Sequence, residues 1–144
     1  IDDAIAKGAR LLTGGKASDT HMAPTLLDGV TREMRLWNEE SFGPVKAIIR
    51  VNNDEEALAV ANDSEYGLSA AVYSRDSARA WNLAQRLQTG ICHINGPTVH
   101  DEAQMPFGGC KASGYGRFGG RAGIAEFTEL RWITIQTQPR ELPF

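Results

Sequence analysis

The spacing of apolar positions changes several times along the chain, and each change marks an element. Over residues 2–13 the apolar positions Ala4, Ile5, Gly8, Ala9 and Leu12 have the spacing of one helical face. They predict a helix closed by Gly14-Gly15, where a left-handed C-terminal cap is wanted. Ala23 to Val30 reads as a short extended piece ending in a turn at Asp28-Gly29, and Met34–Glu40 has room for one or two helical turns before Phe42-Gly43-Pro44 breaks them. The pattern then becomes regular. Val45–Val51 is a β-branched, mostly apolar run expected to be a buried strand. Asn53 or Asp54 is placed to cap a helix with the stripe Ala57, Leu58 and Ala61. Ser69–Ser74 reads as a second strand, Asp76 caps a helix carrying Ala80, Leu83, Ala84 and Leu87 that stops at Gly90, and Ile91–Asn95 is a third strand. Strand and helix alternating through short loops predict an α/β fold of right-handed βαβ units on a parallel sheet.

From Gly96 the regularity is lost. Seven of the 15 glycines fall within residues 108–123, so a long irregular loop is expected, followed by a short helix from about Gly120 to Phe127. The last run, Leu130–Thr137, is strand-like but has no later element to pack on. At 144 residues, 42% hydrophobic and 23% charged, the chain has the composition of a globular domain able to build a core. A net charge of −3 with no basic run argues against nucleic acid, and no apolar run approaches the ~18 residues of a membrane span. Two cysteines cannot make a disulfide framework, which points to the cytoplasm. The chain opens on Ile-Asp-Asp inside a helical pattern without a signal peptide, so it is expected to be a piece of something longer.

Several residues carry candidate chemistry. Gly114-Tyr115-Gly116-Arg117-Phe118-Gly119 spells G-x-G-x-x-G, yet it sits deep in a loop and far from the strand that a dinucleotide fingerprint must leave. Its glycines are expected to serve tight turns instead. Cys92 and His93 are neighbours on a strand and therefore point to opposite faces, which denies them a thiolate–imidazole contact. Cys110 has only Lys111 as a nearby activator. His100-Asp101-Glu102 is metal-competent by type, but three consecutive residues rarely converge on one ion, so no metal is expected. Glu39-Glu40 ahead of Ser41-Phe42-Gly43-Pro44 reads either as a solvated acidic pair or as a carboxylate placed to accept two hydrogen bonds from a diol, with Phe42 as an apolar wall.

Read together, these stretches resemble a family. Asn38-Glu39-Glu40-Ser41-Phe42-Gly43-Pro44 resembles the E-E-x-F-G-P motif of the NAD(P)-dependent aldehyde dehydrogenase superfamily, and Asn62 to Ala70 its N-x-x-x-Y-G-L-x-A stretch. Pro106-Phe107-Gly108-Gly109-Cys110-Lys111-Ala112-Ser113-Gly114 resembles its P-F-G-G-x-K-x-S-G signature, and Glu126–Glu129 with the following strand resembles its C-terminal ending. His100–Met105 and Arg117–Gly120 look most like the branch acting on benzaldehyde, salicylaldehyde and vanillin.

The resemblance implies roles. Glu40 would hold the nicotinamide-ribose hydroxyls of NAD or NADP (NAD favoured), with Phe42 beside the nicotinamide end. Thr98, His100 and Phe107 would line the pocket for an aldehyde, and the strand 131–136 would join a neighbouring subunit in a homodimer or homotetramer. Residues 1–128 would then be the late part of the catalytic domain and residues 129–144 the oligomerisation strand and tail. In the family a cysteine forms a thiohemiacetal, passes hydride to the cofactor and is left as a thioester. Neither Cys92 nor Cys110 lies in the motif of that nucleophile, so no catalytic residue of the family is assigned to this chain. The general base and oxyanion Asn are likewise expected upstream. A second reading is a stand-alone, non-catalytic binding or oligomerisation module. The 144-residue chain by itself is expected to give no NAD-dependent aldehyde oxidation in an NADH-absorbance assay; turnover dependent on Cys92 or Cys110 would contradict this.

Overall fold

The computed structural model describes residues 1–141. In chain order the elements are α1 (Asp2–Ala6), β1 (Arg10–Thr13), β2 (Ala17–Ser18), β3 (His21–Met22), β4 (Thr25–Asp28), α2 (Arg35–Asn38), β5 (Val45–Ile48), α3 (Asp54–Asn62), β6 (Tyr66–Gly67), β7 (Ser69–Val72), α4 (Ser77–Ala84), β8 (Ile91–Ile94), β9 (Cys110–Lys111) and α5 (Gly120–Glu126). Among the described residues no helix is long and apolar enough to cross a membrane.

The first helix ends earlier than its apolar spacing predicts. Gly8 takes φ +101, a backbone conformation open to glycine and costly for other residues. There the Gly8 N–H donates to Ile5 O at 3.0 Å and the Ala9 N–H to Ala4 O at 2.9 Å, the paired bonds of a Schellman cap. Residues 10–13, expected to be helical, turn into β1 because β4 offers an antiparallel ladder to their backbone, with Arg10 opposite Asp28 and Leu11 opposite Leu27. Gly14 and Gly15, also at positive φ, turn the chain at the end of that strand instead of capping a helix.

β4 is the centre of a three-stranded sheet in the order β1-β4-β5, antiparallel to β1 and parallel to β5 from Thr25↔Val45 to Asp28↔Ile48. Its Leu27 is fully buried and packs with Ala4, Ala9, Val30 and Met34 into a core that α1 and α2 close from one side. Burial of a leucine of this kind is worth about 1.5–3 kcal/mol. Asp28 has a side chain only 7% exposed and accepts from Arg50 Nε and Nη2 at 3.0 and 2.8 Å and from Arg10 Nη2 at 2.9 Å. These two guanidinium groups hold its carboxyl down to about 2.

The βαβ alternation is present in the second half. β7 and β8 pair in parallel from Ser69↔Ile91 to Val72↔Ile94, with α4 packed on both. Both predicted caps form: the Asn53 side chain accepts from the Glu56 N–H and the Asp76 side chain from the Arg79 N–H. Arg79 pairs with Asp54 and Arg86 with Glu55, which ties α3 to α4. Asn95 extends the ladder beyond its backbone: its side chain accepts from Ser74 N and donates to Ser74 O, both at 2.9 Å. The single parallel sheet expected for the three strands is not formed by the described residues. β5 bonds to β4 and β7 bonds to β8, in two separate sheets.

Residues 131–136 form no strand and belong to no ladder, so the expected strand is not formed and has no partner among the described residues. Leu130, Trp132, Ile133 and Ile135 there are 72–102% exposed. The expected tail reaches 144, and its last three residues lie outside the described ones.

Asp28 ties acid stability to this sheet. Its folded-state pKa is depressed, so the stability it contributes is present above the ordinary carboxylate range and is lost as pH falls from about 4 toward 2. The thermal midpoint should fall through that window. Asp28→Asn should be less stable at neutral pH and show a flatter acid limb, both read by scanning calorimetry; an acid limb unchanged by the substitution would contradict this.

Candidate functional site

α2 is a single helical turn, and its C-terminal end delivers Glu39 and Glu40 toward β5. Its N-cap position is Met34, which has no side-chain oxygen to offer. Asp3 of α1 does that work from a distance: its Oδ2 accepts from the Arg35 N–H at 2.8 Å, and Lys7 Nζ holds Asp3 Oδ1 at 2.6 Å. On the same turn Trp37 Nε1 donates to Asp63 Oδ2 at 3.1 Å, and Arg32 reaches the same carboxylate at 2.9 Å while its guanidinium lies 5.7 Å from the Trp37 ring centroid. Arg35 closes on Glu39 with Nε to Oε1 at 2.7 Å and Nη2 to Oε2 at 2.8 Å, which lowers the Glu39 carboxyl below its ordinary value. Among the described residues Glu40 makes no ion pair.

Glu40 borders an open groove of about 660 Å³ lined by residues of β5 and β7, together with Glu39, Val45, Ala70, Tyr66 and Thr98. The charge of Glu65, then burial, then the charge of Glu40 raise the Tyr66 phenol above its ordinary value. Thr98 is held by its backbone: its carbonyl accepts from Ser69 Oγ at 3.0 Å. Phe42, expected as an apolar wall beside Glu40, is 96% exposed in the described chain.

A second cavity, of about 390 Å³, collects the other two predicted pocket residues. His100 and Phe107 line it with Cys92, His93, Met105 and Pro106. The His93 and His100 rings meet edge to face with centroids 5.4 Å apart, and His93 Nε2 is buried without a hydrogen-bond partner. Thus His100 and Phe107 come together, while Thr98 shares the other opening with Glu40. His93 was not singled out for the pocket from the sequence. Its period-two alternation in Ile91–Asn95 sets it opposite Cys92, yet both residues border the cavity. Burial pushes the Cys92 thiol up, away from the reactive thiolate. His100 Nε2 stands 3.5 Å from Glu102 Oε1, and among the described residues no three metal-competent side chains converge.

The glycine-rich loop is built by close backbone contacts. Phe107 and Phe118 exchange backbone hydrogen bonds at 2.8 and 2.7 Å, which brings the two arms of the loop together. Arg117 Nη1 donates to the carbonyls of Gly109 and Gly116, both at 2.7 Å, and Glu126 accepts from the Arg117 N–H at 3.2 Å. A Cβ at Gly119 would lie 2.2 Å from Met105 O, and one at Gly116 would lie 2.8 Å from the Glu126 carboxylate carbon. Gly116 and Gly119 of the G-x-G-x-x-G run are therefore occupied with the loop itself. Lys111 is not an activator of Cys110: its ammonium donates to Asn62 O and Ser64 O at 2.9 and 3.0 Å and closes the end of α3, while the Cys110 thiol contacts Gln88 O at 3.1 Å.

A βαβ pair with an acid-bordered groove and an aromatic, histidine-bearing cavity beside a glycine-built loop defines an α/β domain with two openings of ligand size. Residues 1–133 match the aldehyde dehydrogenase family, and the chain belongs to it. It is 64% identical over 143 residues to a vanillin dehydrogenase of Pseudomonas fluorescens and 49% identical over 142 residues to a salicylaldehyde dehydrogenase of Pseudomonas putida; these matches cover 99% of this chain. The chain spans about 30% of the length of these curated relatives. Its fold superposes with TM-score 0.92 and 50% identity on a salicylaldehyde dehydrogenase from Pseudomonas putida G7 complexed with salicylaldehyde, covering 99% of this chain and 30% of that one. A Mycobacterium tuberculosis aldehyde dehydrogenase complexed with NAD+ superposes with TM-score 0.82 and 38% identity over 89% of this chain and 27% of that one.

The loop beside the second cavity depends on Gly90, where a Cβ would lie 1.9 Å from Gly108 O. Gly90→Ala should therefore unseat the loop at a cost of about 1–3 kcal/mol. Limited proteolysis should then cut faster within residues 103–118, with a lowered thermal midpoint; unchanged cleavage and midpoint would show the contact to be easily relieved.

Proposed function

We propose that the protein to which this chain contributes oxidises an aromatic aldehyde to its carboxylic acid with NAD(P)+, NAD+ being favoured, and that it acts in the cytoplasm. Family membership and the high identity to a vanillin dehydrogenase support the reaction and the aromatic preference. Support for NAD+ comes from the NAD+ complex of the Mycobacterium tuberculosis neighbour. When bound, the nicotinamide cofactor accepts the hydride; this chain's own residues bind and orient.

The observation that carries the assignment is the state of the two adjacent acids. Glu39 has both oxygens engaged by Arg35, whereas Glu40 borders the groove with its carboxylate free to accept from two vicinal hydroxyls. Glu40 is therefore read as the clamp on the nicotinamide ribose, and Phe42 as the wall at the nicotinamide end. Thr98, at the same groove, and His100 with Phe107, in the second cavity, are read as the walls that receive the aldehyde; Phe107 and Met105 suit the face of a single ring. Residues 129–141 are read as the start of an arm whose exposed Trp132, Ile133 and Ile135 are covered by the sheet of a neighbouring copy in a homodimer or homotetramer.

In the complete protein, Glu40→Gln should lower hydride-transfer turnover about tenfold and raise KM for NAD+, as expected for removal of one charge-assisted hydrogen bond. The thermal midpoint should stay unchanged because the side chain is exposed. NADH-absorbance kinetics with benzaldehyde and vanillin would measure this, and kinetics identical to the parent would sink the clamp assignment.

A further inference from the structure

We infer that Arg35 is the positioning residue that separates the work of Glu39 and Glu40: by closing on Glu39 it leaves Glu40 as the one free carboxylate presented to the cofactor groove. The inference rests on the reading of Glu40 as the ribose clamp. Both acids border the same groove, and they are neighbours of identical chemical type. Their surroundings distinguish them. The Arg35 guanidinium presents two parallel N–H groups to both Glu39 oxygens, a planar match that satisfies the carboxylate and cancels its charge. Without that fork, a dinucleotide with its own anionic pyrophosphate would meet two negative side chains at the groove instead of one.

An exposed ion pair is by itself a weak fixture, and the Arg35 and Glu39 side chains are 70% and 55% exposed. The backbone beneath the fork supplies the rigidity. Asp3 holds the Arg35 N–H in place of the cap that Met34 cannot provide, and Lys7 fastens Asp3 while donating to Glu33 O at 2.6 Å. Trp37 is tied to Asp63 at the end of α3. The turn that carries Arg35 is thus anchored to both α1 and α3, so the fork acts from a fixed base.

The test uses the complete protein and two variants, Arg35→Met and the double variant Arg35→Met/Glu39→Gln. NAD+ affinity is read by quenching of protein fluorescence, and KM is measured for NAD+ and benzaldehyde. Arg35→Met should weaken NAD+ binding about three- to fivefold while KM for benzaldehyde stays within about twofold. The double variant should recover NAD+ affinity to within about twofold of the parent, because the loosened charge is gone. A double variant as weak as Arg35→Met would mean that Arg35 only supports the fold, and unaltered NAD+ binding in Arg35→Met would equally overturn the inference. Glu40→Gln with unaltered NAD+ affinity would remove the clamp reading and this inference with it. Weakened binding in Glu40→Gln beside an unaltered Arg35→Met would remove this inference alone.

Discussion

Asp28 is where the first sheet is tied together. It lies on the central strand, nearly buried, with Arg10 reaching it from β1 and Arg50 from just beyond β5. A carboxylate taken out of water must be paired, and here both partners come from the strands on either side, so the charge enforces the strand order. The register it accompanies sets Thr25 beside Val45, and the Thr25 N–H donates to Pro44 O at 2.7 Å at the mouth of the pair. The residues just before Pro44 are the acidic pair and Phe42. Their place at the groove follows from the alignment of β4 with β5.

The second half of the chain reaches its geometry by a different route. Its openings depend on backbone approaching backbone, at Gly90 against Gly108 and at Gly119 against Met105, and a side chain at either position would prevent the approach. Arg117 bridges the same loop by donating to the carbonyls of Gly109 and Gly116. The acid-bordered groove is thus set by strand register and charge, and the aromatic cavity by the absence of side chains.

Legibility in the sequence followed the range of the interaction. Asn53 and Asp76 were readable as caps because the bond runs only three residues, to Glu56 and Arg79. The strands at 45–48, 69–72 and 91–94 were readable from their β-branched and apolar runs. The helix expected over 2–13 was not, because the same residues satisfy helical spacing and a strand pairing with β4, and Gly8 ends the helix before the strand begins. For the site, the motif order pointed to Glu40, Thr98, His100 and Phe107, but nothing in Glu39-Glu40 itself says which acid is engaged. His93 was missed because alternation on a strand says which face a residue takes, not whether that face is covered.

The sequence by itself determined the α/β class, the helix caps, the glycine loop and the family, because these rest on local bonding and on motifs that survive without coordinates. Only the tertiary structure decided the path of residues 7–15, the pairing of β4 with β5 and of β7 with β8, and the division of the predicted pocket residues between two openings. It also decided that Arg35 engages Glu39 while Asp3 secures the backbone of the same turn from 32 residues away. Apart from the local Arg35–Glu39 pair, these depend on groups distant in the chain competing for the same hydrogen-bond donors and buried space, and such a competition is resolved only when the whole chain is packed.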